Sequence, residues 1–90
     1  MKDLKIGLQM GYWGAAPNPK MVDIAQEAEK LGYDAIFTAE AWGSDVFTPL
    51  AWIGAHTKRI RLGTGIAQMS ARAPTATAMA ALSLDHLSNG

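Results

Sequence analysis

The strongest constraint on this sequence is a strand-plus-helix unit that occurs three times in succession. Segments with strand character begin near residues 4, 35 and 61, and each is followed by a segment with helical character. Their spacing of about 26 to 30 residues is the length of one such unit. Because parallel strands are joined by right-handed crossovers, the order βαβαβα predicts parallel strands in one sheet. The chain is therefore predicted to be an α/β protein.

Hydrophobic periodicity and breaker residues define the predicted bounds of each element. The first strand alternates with period two, whereas the apolar residues before Gly32 recur at spacings of three and four, as in an amphipathic helix. Asn18-Pro19 and Thr48-Pro49 are typical helix starts, in which a capping side chain precedes a proline. The predicted strands are Leu4–Met10, Ala35–Glu40 and Arg61–Ala67, and the predicted helices run from Asn18-Pro19 to Gly32, over Leu50–His56 and from Pro74 to about Leu87.

Two folds use this unit, an open doubly wound sheet and the (β/α)8 barrel, and both carry their chemistry on the loops after the carboxyl ends of the strands. A dinucleotide-binding doubly wound domain would place G-x-G-x-x-G directly after its first strand, and Gly11-Tyr12-Trp13-Gly14 does not fit. A closed barrel needs eight strands and about 250 residues. A three-stranded parallel sheet alone would leave both edges unpaired. We therefore expect residues 1–90 to be the N-terminal part of a single barrel domain.

Composition narrows the classes of function. Eight lysine and arginine residues balance eight aspartate and glutamate residues, which argues against a nucleic-acid or anionic-membrane binder held by bulk charge. The sequence has no cysteine, so it offers no disulfide or thiolate metal site, and no metal is expected. No stretch approaches the roughly 20 apolar residues of a membrane span. These features predict a cytoplasmic protein that binds neither nucleic acid nor membrane.

Five short motifs follow one protein family in order. They are Lys5–Gln9 (KIGLQ), Leu31–Asp34 (LGYD), Thr38–Trp42 (TAEAW), Arg61–Ile66 (RLGTGI), and Ala73-Pro74 through Leu84–Ser88 (LDHLS). Together they resemble the N-terminal third of the luciferase-like monooxygenase superfamily, and most closely its branch of oxidoreductases that use the deazaflavin coenzyme F420. Each motif alone is weak evidence for the family, whereas the five motifs in this order cover nearly the whole sequence.

The resemblance implies a TIM barrel, usually a homodimer, with a flavin or deazaflavin at the C-terminal mouth of the barrel. In the F420 branch the ring exchanges a hydride with a small organic substrate. In the flavin branch, which is the alternative, reduced FMN activates O2. In either branch the protein positions the ring and excludes competing reactions. A non-catalytic barrel fragment that self-assembles is a further alternative.

The resemblance also indicates where the cofactor binds. Many members carry a non-prolyl cis peptide in a bulge of the third strand, where it supports the ring, and the matching bond here is Gly65-Ile66. The residues around this bond are then expected to contact the ring or its side chain. The predicted cofactor-binding residues are Thr64, Gly65, Ile66, Ala67 and Gln68.

Glu40 ends the second strand, where barrel enzymes place site residues, and it is the predicted catalytic residue. In several relatives an acidic residue at this strand end is followed by histidine, whereas Ala41 follows Glu40 here, so the histidine proton donor of those relatives is missing at this position. Trp13 and Trp42, in the loops after the first two strands, are predicted to wall the substrate pocket. Gln9 is predicted to point into the barrel as a hydrogen-bonded core amide.

Overall fold

Three parallel strands form one sheet, in which their spatial order is their order in the chain. The computed structural model describes residues 4–90; Met1–Asp3 of the predicted domain lie outside the described residues. The strands are β1 (Gly7–Gly11), β2 (Ala35–Ala39) and β3 (Arg61–Ile66), and the helices are α1 (Met21–Lys30), α2 (Phe47–Ala55) and α3 (Pro74–Leu87), with a 3₁₀ turn at Met69–Ala71. The βαβαβα order is confirmed, although the predicted strands extended beyond these bounds, to Leu4, Glu40 and Ala67.

The core lies on one face of the sheet, between the strands and the first two helices. Ile36 of β2 and Ile53 of α2 have no exposed surface, and Ala25 and Ala28 of α1 are buried in the same cluster. Alanines let α1 approach the sheet closely, while each fully buried isoleucine contributes about 1.5–3 kcal/mol of hydrophobic stabilisation. A doubly wound sheet carries helices on both faces. The one-sided core instead agrees with consecutive units of a (β/α)8 barrel.

The helices α1 and α2 do not begin at the residues that the sequence predicts, because side chains in the loops before them accept backbone N–H groups and form turns there. The Oδ1 of Asn18 accepts the N–H of Lys20 at 2.9 Å, so Asn18 belongs to a turn that precedes α1. The carboxylate of Asp45 accepts the N–H groups of Phe47 and Thr48 at 3.0 and 2.9 Å. Because Asp45 provides these acceptors, α2 begins at Phe47, and the predicted start with Thr48 as the capping residue is wrong.

The face of the sheet opposite the core is arranged around the ring of Phe37. A Cβ atom on Gly7 would lie 2.8 Å from the ring atom Cε2, and one on Gly63 would lie 2.6 Å from Cε1. Both distances are well below van der Waals contact, so only glycine at these two positions leaves room for the ring. We call this side of the sheet, with Gly7, Gln9, Phe37, Gly63, Gly65 and Ile66, the open face.

A carboxylate near the end of α1 joins this helix to the segment that enters β3. Glu29 Oε2 accepts the backbone N–H groups of Lys58, Arg59 and Ile60 at 2.9, 2.5 and 2.8 Å. Desolvation raises the pKa of Glu29, but these hydrogen bonds and the charge of Arg59 outweigh it and hold the pKa below its ordinary value. The backbone of residues 58–60 thus binds a carboxylate of the same chain at the N-terminal end of the sheet.

The third helix has its predicted bounds, because Pro74 occupies its first turn. It packs loosely: no residue of α3 is buried, and Met79, Leu82 and Leu87 are exposed. A groove of about 510 Å³ separates α3 from β3 and α2. Neither α3 nor any other helix within residues 4–90 is long and apolar enough to cross a membrane.

Candidate functional site

The carboxyl ends of the three strands meet at one end of the sheet, where each strand continues into a loop. A cavity of about 230 Å³ opens there between the loops after β2 and β3. Its walls include Glu40, Trp42, Asp45, Gln68 and Arg72. Ligands of parallel α/β proteins bind at this end of the strands, so this region is the candidate functional site.

The side chain of Glu40 is buried, with 3% of its surface exposed, and both oxygens accept two hydrogen bonds each. Its Oε1 accepts the N–H of Val46 at 3.0 Å and the Nη2 of Arg72 at 2.5 Å. Its Oε2 accepts the N–H of Gln68 at 2.5 Å and the Nη1 of Arg72 at 2.9 Å. One carboxylate therefore joins the end of β2 to the loop before α2 and to the loop after β3.

These contacts keep Glu40 ionised. The hydrogen bonds from Arg72, aided by the N–H groups of Gln68 and Val46, outweigh the effect of burial and lower the pKa of Glu40 to about 2. The same hydrogen bonds raise the pKa of Arg72. A group with such a pKa does not supply a proton near neutral pH. The catalytic role of Glu40 stays a prediction, and its contacts restrict it to roles for an ionised carboxylate held in place by the loops.

The lowered pKa of Glu40 predicts that acid weakens the fold through this residue. Because the folded-state pKa is about 2 and the ordinary value is 4.5, the stabilisation by Glu40 is present above pH 4.5 and is lost as the pH falls towards 2. In urea unfolding between pH 5 and pH 3, we expect the free energy of unfolding to fall more steeply for the wild type than for Glu40→Gln. Glu27→Gln, at an exposed position of α1, should keep the wild-type slope; equal slopes for the wild type and Glu40→Gln would contradict the prediction.

The third strand ends in a bulge at Gly65. Thr64 pairs with Thr38, and Ile66 pairs with Ala39, the next residue of β2, so Gly65 has no partner in the register. This confirms the bulge that the resemblance implied. The Gly65-Ile66 peptide bond is trans, as are the other peptide bonds within residues 4–90, so the predicted cis bond is wrong. One extra residue in β3 is sufficient to produce the register shift.

The side chain of Gln9 lies over Gly65 on the open face. Its Oε1 accepts the N–H of Gly11 at 2.9 Å, while its Nε2 occupies the space that a Cβ on Gly65 would need. Gln9 is exposed within residues 4–90, and its hydrogen-bonded amide lies on the face of the sheet that the sequence predicts to point into the barrel, so its burial in a barrel core stays a prediction. Ile66, which follows the bulge, is apolar and yet 64% exposed. The end of β3 thus offers a glycine and an apolar side chain beside an amide, which suits the face of a flat ligand.

The loops after β1 and β2 contact each other. The N–H of Trp13 donates to the hydroxyl oxygen of Ser44 at 3.1 Å, and Gly43 packs against the backbone of Trp13 and Gly14. Trp13 is half-buried between the two loops, whereas Trp42 is 90% exposed. The structure therefore brings both predicted pocket tryptophans to the carboxyl ends of the strands, and it leaves the indole of Trp42 accessible to a ligand.

We expect Gly43→Ala to separate these two loops. A Cβ on Gly43 would lie 2.7 Å from the Cα of Gly14 and 2.8 Å from its backbone oxygen, and the backbone of Trp13 is closer still. Backbone atoms yield less readily than side chains, so we expect a loss of about 1–3 kcal/mol in the free energy of unfolding and a red shift of the Trp13 emission. Gly14→Ala, where an added Cβ has open space around it, is the control; identical behaviour of the two variants would contradict the expected contact.

The predicted cofactor-binding residues do not all lie together. Gly65 forms the bulge, Ile66 follows it, and Gln68 lines the cavity. Thr64 lies on the other side of the sheet, because it pairs with Thr38, whose hydroxyl donates to the backbone oxygen of Val46 before α2. Thr64 also lines the groove beside α3. The structure thus places Gln68 at the cavity, Gly65 and Ile66 at the end of β3, and Thr64 apart from them.

Arg72 is the site residue that sequence reasoning missed. Besides its two bonds to Glu40, its guanidinium carbon lies 5.2 Å from the centre of the Phe47 ring. The available signal was that Arg72 is the only charged residue in the predicted loop Met69–Ala73.

Within residues 4–90 there is no group of three or more histidine, aspartate or glutamate side chains placed to hold a metal ion.

Comparison with known proteins finds one family and several relatives. Residues 7–90 match the family described as luciferase-like monooxygenase. The chain is 61% identical over 87 residues to a protein of Mycobacterium tuberculosis provisionally named a coenzyme F420-dependent oxidoreductase, and this match covers 97% of the chain and 25% of that protein.

Two further relatives are more distant. An uncharacterized protein of Mycobacterium bovis is 39% identical over 79 residues, covering 86% of the chain and 23% of that protein. The 4-hydroxyprotoasukamycin monooxygenase of Streptomyces nodosus subsp. asukaensis is 32% identical over 76 residues, covering 77% of the chain and 20% of that protein. The chain thus spans about a quarter, or less, of the length of these curated relatives.

Proposed function

The chain belongs to the luciferase-like monooxygenase family, and we propose that the protein is an oxidoreductase that moves a hydride between coenzyme F420 and a small organic substrate. The observation that carries this proposal is the 61% identity, over 97% of the chain, to a relative named for F420. The matched 87 residues include the end of β2 and the bulge of β3, where the candidate site lies.

The end of β3 supports the proposal, because its residues fit a flat ring. Gly65 has no side chain and permits close approach, Ile66 offers an exposed apolar surface, and the amide of Gln9 lies beside them. In the proposal, residues Gly65–Gln68 hold the deazaflavin ring, and Trp42 forms a wall of the substrate pocket. When bound, the deazaflavin supplies a ring carbon that carries the hydride.

The role proposed for Glu40 is that of a fixed negative charge beside this ring site. Its four hydrogen bonds are all made to protein groups, so it holds the loops after β2 and β3 in place. Ala41 follows it, so this strand end offers no histidine as a proton donor. Water exclusion at the site then depends on the loops that Glu40 joins.

For the whole protein we propose a single (β/α)8 barrel, to which residues 1–90 contribute the N-terminal part, and a homodimer, as the family resemblance implies. The order β1-β2-β3 and the core on one face of the sheet support the barrel. In a barrel, the open face with Phe37 faces the interior, and the bulge of β3 lies at the mouth.

An FMN-dependent monooxygenase is the second candidate function. The relative named 4-hydroxyprotoasukamycin monooxygenase, at 32% identity, favours it. The same residues at the end of β3 would then hold a flavin ring, whose chemistry when reduced is the activation of O2. The two candidates differ in the cofactor and in the need for oxygen.

Titration of the purified protein with coenzyme F420 and with FMN, followed by tryptophan fluorescence, tests the proposal. We expect saturable quenching by F420. Trp42→Phe should remove most of this response, because Trp42 lines the cavity, whereas Trp52→Phe on the exposed surface of α2 should keep it. Saturation by FMN alone would favour the monooxygenase, and the absence of a saturable response to either cofactor would contradict both candidates.

A further inference from the structure

Arg72 connects three elements at the candidate site. Its guanidinium donates to both oxygens of Glu40, at 2.9 and 2.5 Å, and it lies over the ring of Phe47, the first residue of α2. Paired hydrogen bonds from arginine to a carboxylate fix the relative orientation of the two groups, and the aromatic face adds a further attraction for the cation. The end of β2, the start of α2 and the loop after β3 are therefore held in one arrangement.

The loop after β3 is attached at two points to the same carboxylate. The N–H of Gln68 donates to Oε2 of Glu40 at the start of the 3₁₀ turn, and the Arg72 side chain donates to both oxygens just after that turn. The bulge at Gly65 and the exposed Ile66 lie immediately before this attachment. Gly65 and Ile66 belong to β3, whereas the position of residues 67 and 68 depends on the Glu40–Arg72 pair.

Little else holds this loop. The 3₁₀ turn at Met69–Ala71 has no buried residue, and α3, which follows it, has none either. Hydrophobic burial therefore does not fix the path of the chain between β3 and α3. The N–H of Glu40 donates a hydrogen bond to the backbone oxygen of Ile66 at 3.0 Å. This bond holds the end of β3 but does not hold the 3₁₀ turn.

We propose that Arg72 is a positioning residue for the cofactor: acting through Glu40, it holds residues 67 and 68, which continue from the bulge of β3, in the arrangement that receives the ring. This inference rests on the proposed function, since the ring is the ligand that the arrangement serves. Arg72 touches neither the open face nor the reacting atoms in this proposal, and its effect passes through the loop. Lysine, a point charge, cannot reproduce both bonds to the carboxylate. We therefore expect lysine at position 72 to weaken cofactor binding, and methionine, which has no charge, to weaken it more.

The test is the affinity of the purified protein for coenzyme F420 in Arg72→Lys and Arg72→Met, together with amide hydrogen exchange at Gln68. We expect the dissociation constant to rise about tenfold or more in Arg72→Met and by less in Arg72→Lys. Exchange at Gln68 should become faster in both variants, while exchange in the β2 core at Ile36 stays unchanged. Arg61→Met, the same chemical change at the exposed other end of β3, is the control and should behave as the wild type.

Wild-type affinity and unchanged Gln68 exchange in Arg72→Met would overturn the inference. If Arg72→Met does not fold, the same comparison is made with Arg72→Lys, in which wild-type affinity and exchange would overturn it equally. A wild type that binds neither F420 nor FMN would overturn the proposed function. Failure of the proposed function can be distinguished from failure of this inference, because it is seen in the wild type without any substitution. The exchange rate at Gln68 in the Arg72 variants then still shows whether Arg72 holds the loop.

Discussion

Replacing Glu40 with leucine is expected to lower the free energy of unfolding by about 2–3 kcal/mol at neutral pH, because a buried carboxylate that accepts four hydrogen bonds is lost. Arg72 loses its partner, and the N–H groups of Val46 and Gln68 lose their acceptor. Leucine has a similar volume but no acceptor, and an unpaired buried N–H group costs about 1–3 kcal/mol. Denaturant unfolding followed by far-UV circular dichroism measures the change.

The control for this substitution is Glu27→Leu in α1. Glu27 is exposed, so its replacement should change the free energy of unfolding by no more than about 0.5 kcal/mol. Glu40→Gln separates charge from shape, because its amide oxygen keeps one acceptor for the loop amides while the ion pair is lost. We expect Glu40→Gln to lie between the wild type and Glu40→Leu. A loss in Glu40→Leu no larger than in Glu27→Leu would show that the loops do not depend on this carboxylate.

The order of the elements could be predicted from the sequence, because each element carries its own periodicity and its own breaker residues. The bounds of the helices were less predictable, since they depend on which side chain reaches the first N–H groups. Thr48 before Pro49 has the composition of a helix start, but the carboxylate of Asp45 reaches those groups first. Competition between two capping residues is decided by the path of the loop, which the local sequence does not contain.

The candidate site was predictable only in part, for a related reason. The end of β2 identifies Glu40, because site residues of barrels lie at strand ends. Its partner Arg72 lies 32 residues further along the chain, and nothing in the intervening pattern indicates that they meet. The roles of the two glycines of β3 could not be predicted from the local sequence either. Gly63 makes room for the ring of Phe37, whereas Gly65 is the bulge, and only the register with β2 separates the two roles.

Gly65→Val is expected to abolish most cofactor binding while the fold survives. A Cβ at this position would run into the amide of Gln9 and lie 3.3 Å from the backbone oxygen of Thr38, and a branched side chain needs more room still. The Gln9 side chain is exposed and can move aside, so we expect a small change in the free energy of unfolding, about 1 kcal/mol. The valine would then cover the bulge beside Ile66, where the ring is proposed to lie. We expect the dissociation constant for coenzyme F420, measured by tryptophan fluorescence, to rise at least about tenfold.

Gly14→Val is the matched control for this substitution. An added Cβ on Gly14 has open space around it, in the loop after β1 and not in the bulge of β3. The same glycine-to-valine change there should leave the affinity for F420 close to that of the wild type. Both variants keep the charge of Glu40 and its pairing with Arg72. A loss of affinity for F420 in Gly65→Val alone would therefore show that the cofactor binds at the surface of the bulge. Wild-type affinity in Gly65→Val would instead mean that the ring does not contact this part of β3.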